Sequence, residues 1–292
     1  MQWKINYLTI YEDRWSFLLC SVFREQGERH MERETVKTIK KFIKDKKKEE
    51  HVVNEVVRDD VFSILQKECT VLYYALEDSI DGCHIQKPLL GEMRQFVFIN
   101  TNKVIQEQVW TAGHELGHVW KVDEAVYKSC SGCKDNVETI VGRFTAEFLM
   151  PEEIFCNQIT DRLKEYRYTG SAMKQEMAVD LIAYLMNFFC VPAKSIILRF
   201  IELHYVDESD MEKYLDCFRD NQTLYKQKIS ENQYTRLEKR EEVYTIGNIR
   251  RDIEKIEAEQ LMKPKYIQRV KELLRMDETS EEGTTLDFRG QN

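Results

Sequence analysis

Long apolar runs are missing from this sequence, and their absence excludes an ordinary membrane-spanning segment. Crossing a bilayer takes about 18 consecutive apolar residues, and no run here approaches that length. Near the start of the chain, Glu12, Asp13 and Arg14 interrupt the apolar pieces. The clean apolar stretch behind a basic start that marks a signal peptide is missing too. We therefore expect a protein of the cytoplasm without a membrane partner.

A regular cysteine framework and an excess of positive charge are also missing. The eight cysteines have no even spacing, which favours reduced thiols in a cytosolic protein over a disulfide scaffold. The net charge of −8 argues against broad electrostatic binding to nucleic acid. The mean hydropathy of −0.53 and the charged fraction of 32% indicate a solvated, helix-rich chain.

Apolar periodicity predicts a mostly helical α+β protein with a small sheet. Apolar residues recur at three-and-four spacing over 52–68, as on one face of a helix, and dense apolar runs indicate strands at 70–76 and 95–99. Residues 81–82 and 88–91 carry turn signals. The further predicted helices cover 103–122, 136–150, a segment starting at 151, 173–189, 193–204, 211–221, 249–262 and 264–275.

Two histidines four residues apart carry the first chemical signal. His114 and His118 lie in the predicted helix 103–122, so both imidazoles project from one face, one turn apart. Two neutral imidazoles at this spacing can bind one Zn²⁺. Glu115 follows the first histidine, where its carboxylate can take a proton from a metal-bound water without being a ligand. An amphipathic helix with two surface histidines is the plain alternative.

Glu138 is the candidate third ligand, because a catalytic zinc site needs three protein ligands and one open position. A helical wheel places Glu138 on the same side as Val141, and a carboxylate on an apolar side needs a partner. The competitor Glu147 projects beside Arg143, where a solvated ion pair explains it. The pattern therefore favours Glu138, whose alternative role is to complement the helix dipole.

Together with the segment 143–151 (Arg-Phe-Thr-Ala-Glu-Phe-Leu-Met-Pro), these residues resemble the ImmA/IrrE family of metallopeptidases. The strand ending at 98–100 and the segment 189–193, followed by Arg199-Phe200, are similar to that family as well. The resemblance extends over about 52–203.

The resemblance implies a zincin-like peptidase core with a small sheet, followed by a helical C-terminal region. It also implies that His114, His118 and Glu138 bind Zn²⁺ and that Glu115 is the general base. Family members often act on repressor proteins of phages or mobile elements. We accordingly predict five regions: an N-terminal extension at 1–50, in which Met31 is an alternative start, a metallopeptidase domain at 51–160, a helix-turn-helix-like region at 161–205, a helical extension at 206–276 and a disordered tail at 277–292.

Several further side chains could serve such a site. Peptide hydrolysis calls for a group that stabilises the developing oxyanion, and the strand 96–100 could bind an extended substrate by strand addition. Cys130 and Cys133 have zinc-knuckle spacing, but no second pair follows, so ordinary loop cysteines are favoured. The sequence does not choose among the candidates for oxyanion stabilisation, which are Tyr127, Tyr166, Tyr168, His84 and His204.

The helix pair around 190–192 resembles a helix-turn-helix. Its second helix has Lys194 and Arg199 but little other positive charge, and DNA affinity scales with the number of phosphates neutralised. A packing hairpin is therefore favoured, and DNA binding stays an alternative. The lysine cluster at 37–48 is balanced by nearby acids, so we expect a solvated helix face.

The leading functional hypothesis is a zinc-dependent endopeptidase that cleaves a protein substrate by Glu-assisted attack of a zinc-bound water. The expected substrate is a helix-turn-helix repressor of a phage or mobile element. One alternative is a non-catalytic, metal-binding anti-repressor that acts by binding such a repressor. The other is a transcriptional regulator that binds DNA through its later helices.

Overall fold

The computed structural model describes residues 33–77, 79–89, 92–130, 132–168, 173–206, 211–238, 253, 256–260 and 262–273. The chain divides into two compact units, Met1–Val243 and Tyr244–Asn292. The hypotheses about Met31 and about a disordered tail at 277–292 fall outside the described residues. The five predicted regions stay predictions.

The expected fold class, α+β with a mostly helical core and a small sheet, is confirmed. The elements of the first unit are α1 (Arg33–Glu49), α2 (Asp60–Glu68), β1 (Thr70–Tyr74), β2 (Gly82–Leu89), β3 (Glu92–Asn100), α3 (Ile105–Val119), α4 (Val122–Ser129), α5 (Val137–Leu149), α6 (Glu152–Glu165), α7 (Gln175–Phe189), α8 (Ala193–Glu202), α9 (Met211–Asp220), α10 (Gln222–Glu231) and a 3₁₀ turn (Thr235–Glu238).

In the second unit, helix α11 (Pro264–Leu273) begins at a proline, a residue that is tolerated in the first turn of a helix. Ile253 and Ile267 are buried and form a small cluster with Ile256 and Val270. Lys271 Nζ lies 2.7 Å from Glu257 Oε2. Arg269 Nη1 and Glu272 Oε2 form a second ion pair at 3.5 Å. The described part of this unit thus contains a small apolar cluster and these two ion pairs.

The sheet has the order β1-β3-β2, with β1 parallel and β2 antiparallel to β3. The prediction of substrate addition on 96–100 is wrong, because β3 is the central strand and both of its edges are already paired. Strands β1 and β2 are the edges of the described sheet, and the outer edge of β2 is one that a substrate strand could use.

Strand β2 was not predicted, because its ends carry the turn signals at 81–82 and 88–91. Pro88 is tolerated since an edge strand leaves one side of its backbone unpaired. Gly82 is required by packing: a Cβ at this position would lie 2.5 Å from Thr111 Cγ2 and 2.5 Å from Phe98 O. The absent side chain lets β2 pass directly over α3.

Asn100 fixes the loop that leads into β2. Its side chain is fully buried; Oδ1 accepts from Leu76 N at 3.0 Å, and Nδ2 donates to Glu77 O at 3.0 Å. These bonds tie Asn100 to this loop, and α3 begins at Ile105 with Val104 as its N-cap.

Two helix boundaries differ from the prediction because non-glycine residues adopt positive φ. Arg58 has a φ of 49°, so helix α2 begins at Asp60, and the predicted start at Val52 is wrong. Lys121 has a φ of 56°, so α3 ends at Val119, before the predicted end at 122, and α4 (Val122–Ser129), which was not predicted, begins after Lys121. The left-handed region is costly for such residues, and sequence patterns rarely mark it.

Helix α3 packs closely on α5 through two glycines. A Cβ on Gly113 would lie 3.0 Å from Leu149 Cδ1, and one on Gly117 would lie 2.9 Å from Phe144 Cδ1 and 3.0 Å from Val141 Cγ1. Side chains at these positions would push the helices apart. Close backbone approach therefore sets the distance between α3 and α5.

Glu147 on α5 is buried in a network of ion pairs. The prediction of a solvent-exposed ion pair between Glu147 and Arg143 is therefore wrong. Its side chain is 8% exposed and contacts Arg199 Nη2 on α8, whose side chain is 0% exposed. Arg143 Nη2 and Lys40 Nζ each lie 3.7 Å from the carboxylate of Glu147. Glu202 binds both arginines at 2.7 Å. Opposite charges thus neutralise one another where α5, α8 and α1 meet.

The lysine-rich face of α1 is not simply solvated. Lys47 Nζ lies 5.2 Å from the ring centroid of Phe148 and donates to Glu55 O at 2.8 Å. Burial lowers the pKa of Lys47 to about 8, against the opposing charges of Glu55 and Glu147. The helix contributes apolar contacts through Ile39 and Ile43 as well.

Among the described residues, no single helix is long and apolar enough to cross a membrane. Helices α7 and α8 reach that length and composition only as a pair, and they are bent by 101° at the break between them. Most residues of both helices are buried in the core.

Gly117→Ala should destabilise the first unit by roughly 1–2 kcal/mol. The added methyl group would overpack the contact between α3 and α5, and this destabilises the fold more than the higher helix propensity of alanine stabilises it. Gly142 on α5 is the matched control, since nothing lies within 4 Å of an added Cβ. Gly142→Ala should stabilise by about 0.5–1 kcal/mol. Urea unfolding of the two variants measures the difference, and equal stabilisation would contradict the close packing.

Glu147→Gln should lower the free energy of unfolding by up to about 3–5 kcal/mol, because only Glu202, which is shared with Arg143, is left to balance the buried charge of Arg199. Glu153→Gln on the neighbouring helix α6, which is exposed, should change it by less than about 0.5 kcal/mol. Denaturant midpoints that coincide for the two variants would show that the network is not needed.

Candidate metal centre

His114 and His118 project from the same face of α3, as their spacing predicts. The two Nε2 atoms are 3.2 Å apart, and the ring centroids are 4.9 Å apart in an edge-on arrangement. Their side chains are 17% and 21% exposed, whereas most neighbouring residues of α3 are buried. The buried helix therefore presents two imidazole nitrogens at a partly open position.

Glu138 comes to the same point from the first turn of α5. Asn136 caps this helix by accepting from Thr139 N at 2.8 Å, which fixes the start of the helix just before Glu138. Glu138 Oε2 lies 3.2 Å from His114 Nε2, and Oε1 lies 3.6 Å from His118 Nε2. The carboxylate is 44% exposed, which is more than its helical-wheel position implied.

His114, His118 and Glu138 together form the metal group, whose ligand atoms all lie within 4.8 Å of one another. In a tetrahedral zinc site with ligands at about 2.0–2.1 Å, neighbouring ligand atoms are roughly 3.3–3.4 Å apart. The separations of 3.2 Å and 3.6 Å between ligand atoms bracket that value. Two imidazoles and one carboxylate are also a donor set of catalytic zinc sites, so the residues fit a divalent metal ion.

The electrostatics of the group agree with a cation site. Burial alone would raise the pKa of Glu138, but the hydrogen bonds from His114 and His118 outweigh burial and hold that pKa well below its usual range. For His118, burial acts to lower the pKa, yet the hydrogen bond to Glu138 and the charge of Glu115 raise it overall. The surroundings of Glu138 thus favour its negatively charged form beside a positive charge.

Glu115 lies next to the group without belonging to it. Its side chain is buried, with the residue 8% exposed. Its negative charge acts to raise the pKa of both His118 and His84, so the carboxylate lies near both rings. The role of Glu115 as the general base stays a prediction.

His84 on β2 is the oxyanion candidate that the fold brings to the group. Its ring stacks on that of His118, with centroids 6.4 Å apart and an interplanar angle of 24°. Two other candidates are engaged elsewhere: Tyr127 Oη donates to Asp135 O at 2.8 Å, and Tyr166 Oη contacts Asp180. The sequence alone did not single out His84, because the turn signals at both ends of β2 kept this strand from being predicted.

Cys130 and Cys133 lie beside α1 instead of in the metal group. Cys130 Sγ is 3.3 Å from Thr38 Oγ1, and Cys133 Sγ is 3.8 Å from Thr35 Oγ1. Within the described ranges, His114, His118 and Glu138 are the residues that form a metal-binding group of three or more. The interpretation of Cys130 and Cys133 as ordinary loop cysteines stays a prediction.

A metal that binds the folded site should stabilise the protein by about 2.7 kcal/mol at a concentration of one hundred times its Kd. Thermal unfolding with and without ZnCl₂ measures this gain. His118→Ala and Glu138→Gln should abolish it, whereas Glu124→Gln, an exposed carboxylate on α4, should keep it. A zinc-dependent shift that survives in the first two variants would place the metal elsewhere.

Comparison with protein-family models agrees with this geometry. Residues 70–200 match the Peptidase_M78 family, described as the IrrE N-terminal-like domain. The match spans β1 to most of α8 and includes His114, Glu115, His118 and Glu138. A comparison with curated proteins found no match. Residues 70–200 thus form an IrrE N-terminal-like domain, and this match supports the similarity of the chain to the ImmA/IrrE family of metallopeptidases.

Proposed function

We propose that this protein is a zinc-dependent endopeptidase. One observation carries the proposal: His114, His118 and Glu138 converge within 4.8 Å, while Glu115 stays outside the group and beside it. A structural metal site does not need a buried carboxylate, such as that of Glu115, that does not bind the metal. A hydrolytic site needs such a group to move protons.

Each residue then has a defined task. His114, His118 and Glu138 would hold the ion, and a bound Zn²⁺ supplies Lewis acidity that activates water and polarises a carbonyl group. The carboxylate of Glu115 accepts a proton from the attacking water and delivers it to the nitrogen of the leaving amine. Its burial limits competing contact with bulk solvent, which strengthens its electrostatic effect on neighbouring groups.

The substrate we propose is an extended segment of a protein. Strand β2 is an edge strand, and its residue His84 lies against the metal group. A peptide paired with the outer edge of β2 would have its backbone held beside the site by main-chain hydrogen bonds. A helix-turn-helix repressor of a mobile element, in the cytoplasm, is the substrate that the family resemblance favours.

The DNA-binding alternative loses support from the position of Arg199. This side chain is fully buried and paired with Glu147 and Glu202, so it is not available to a phosphate group. Most of helix α8 is buried as well. The non-catalytic anti-repressor is the stronger second candidate, because it would need the same metal group and the same partner.

Glu115→Gln separates the peptidase from the anti-repressor. Co-expression with the helix-turn-helix repressor encoded nearest to this protein should yield repressor fragments for the wild type and for Glu124→Gln. Glu115→Gln should bind zinc equally well but cleave about 10²–10⁴-fold more slowly, since the proton-transfer group is lost. Metal analysis and mass spectrometry of the fragments are the two measurements.

The anti-repressor would replace the peptidase if Glu115→Gln relieved repression fully while the repressor stayed intact. Undiminished cleavage by that variant would remove Glu115 from the mechanism.

A further inference from the structure

His84 faces the active-site helix because of its register in the sheet. It pairs with Val97 across the β2–β3 ladder, and directly paired residues share one face of a sheet. Val97 is fully buried, so this face points into the core. Two residues earlier on the same face, a Cβ on Gly82 would lie 2.5 Å from Thr111 Cγ2 of α3. Strand β2 therefore runs along α3 and brings His84 to the turn that holds His118.

Gln95 determines which edge of the imidazole is available. His84 Nε2 lies 3.0 Å from Gln95 Oε1, and Gln86 Nε2 approaches the same oxygen at 3.5 Å. Because the amide oxygen is an acceptor, Nε2 carries the proton in a neutral ring. Nδ1 is then left with a lone pair and acts as an acceptor.

The proposed reaction requires a hydrogen-bond acceptor for the N–H of the leaving amine. After water attacks the carbonyl carbon, the nitrogen of the former peptide bond becomes tetrahedral, with one N–H and one lone pair. Glu115 can protonate that nitrogen only if the lone pair points toward its carboxylate. A group that accepts a hydrogen bond from the N–H on the opposite side of the nitrogen fixes the lone pair in this direction.

We propose that His84 is a second catalytic side chain beside Glu115, and that its Nδ1 accepts a hydrogen bond from the N–H of the scissile peptide group and of the leaving amine. This role presupposes the peptidase function proposed above. His84 itself gains and loses no proton: water loses one to Glu115, Glu115 passes it to the amine nitrogen, and the C–N bond breaks. Gln95 is a positioning residue that fixes the imidazole.

Two transition-state analogues test the role without a known substrate. A peptide phosphonamidate carries a P–N–H group where the leaving amine would be, and the matched peptide phosphonate ester has oxygen there. Both are titrated calorimetrically into the zinc-loaded full chain. The wild type should bind the phosphonamidate about tenfold more tightly, which is the upper range for one net hydrogen bond.

Substitutions of His84 give the specific readout. His84→Asn places an amide oxygen close to the position of Nδ1, so it should keep most of the tenfold preference. His84→Gln and His84→Leu should reduce the preference to about one, with zinc content and thermal midpoint unchanged. Loss of zinc in both of these variants would mean that His84 supports the metal group instead, and it would overturn the proposal.

The outcomes also separate this role from the peptidase function. If His84→Leu retains the preference for the phosphonamidate, or if the wild type shows none, the role of His84 is wrong. The cleavage assay with Glu115→Gln then still decides the peptidase function independently. If the zinc-loaded wild type binds neither analogue and cleaves no repressor, both proposals fail.

Discussion

The close approach of α3 and α5 is the contact on which the metal group depends. Two histidines one turn apart on α3 cannot complete a site by themselves, and the third ligand comes from the first turn of a different helix. Gly113 and Gly117 bring the two backbones together, since a Cβ on either would meet side chains of α5 at 2.9–3.0 Å. The helix separation thereby sets the distance from Glu138 to both imidazoles.

The same helix α5 also shows how the fold assigns different tasks to two carboxylates. Glu138 stands at the open end of α5 and is 44% exposed, so an ion can reach it. Glu147 lies more than two turns further on, with its side chain 8% exposed, and Arg199 neutralises it. Burial without a partner would be costly for either group. One carboxylate is thus positioned for chemistry and the other for joining α5 to α8.

The sequence predicted what depends on local spacing. His114 and His118 lie four apart within a helix, and Asn136 is a standard capping residue two positions before Glu138, so these positions followed from helix geometry. Strand β2 did not follow, because Gly82 and Pro88 at its ends are turn residues. The contact of Glu147 with Arg199 joins residues 52 positions apart, and no local pattern encodes such a pairing. The positive φ angles of Arg58 and Lys121 likewise lack a sequence signature.

The central claim is that two imidazoles and one carboxylate of this chain hold a zinc ion. X-ray absorption at the zinc edge on the metal-loaded full-length protein tests it directly, because nitrogen and oxygen ligands scatter at about 2.0–2.1 Å and cysteine sulfur at about 2.3 Å. The account predicts one equivalent of zinc, two histidine ligands, light-atom ligands otherwise, and no sulfur shell. A sulfur shell at the longer distance, or a protein that binds no zinc, would contradict it.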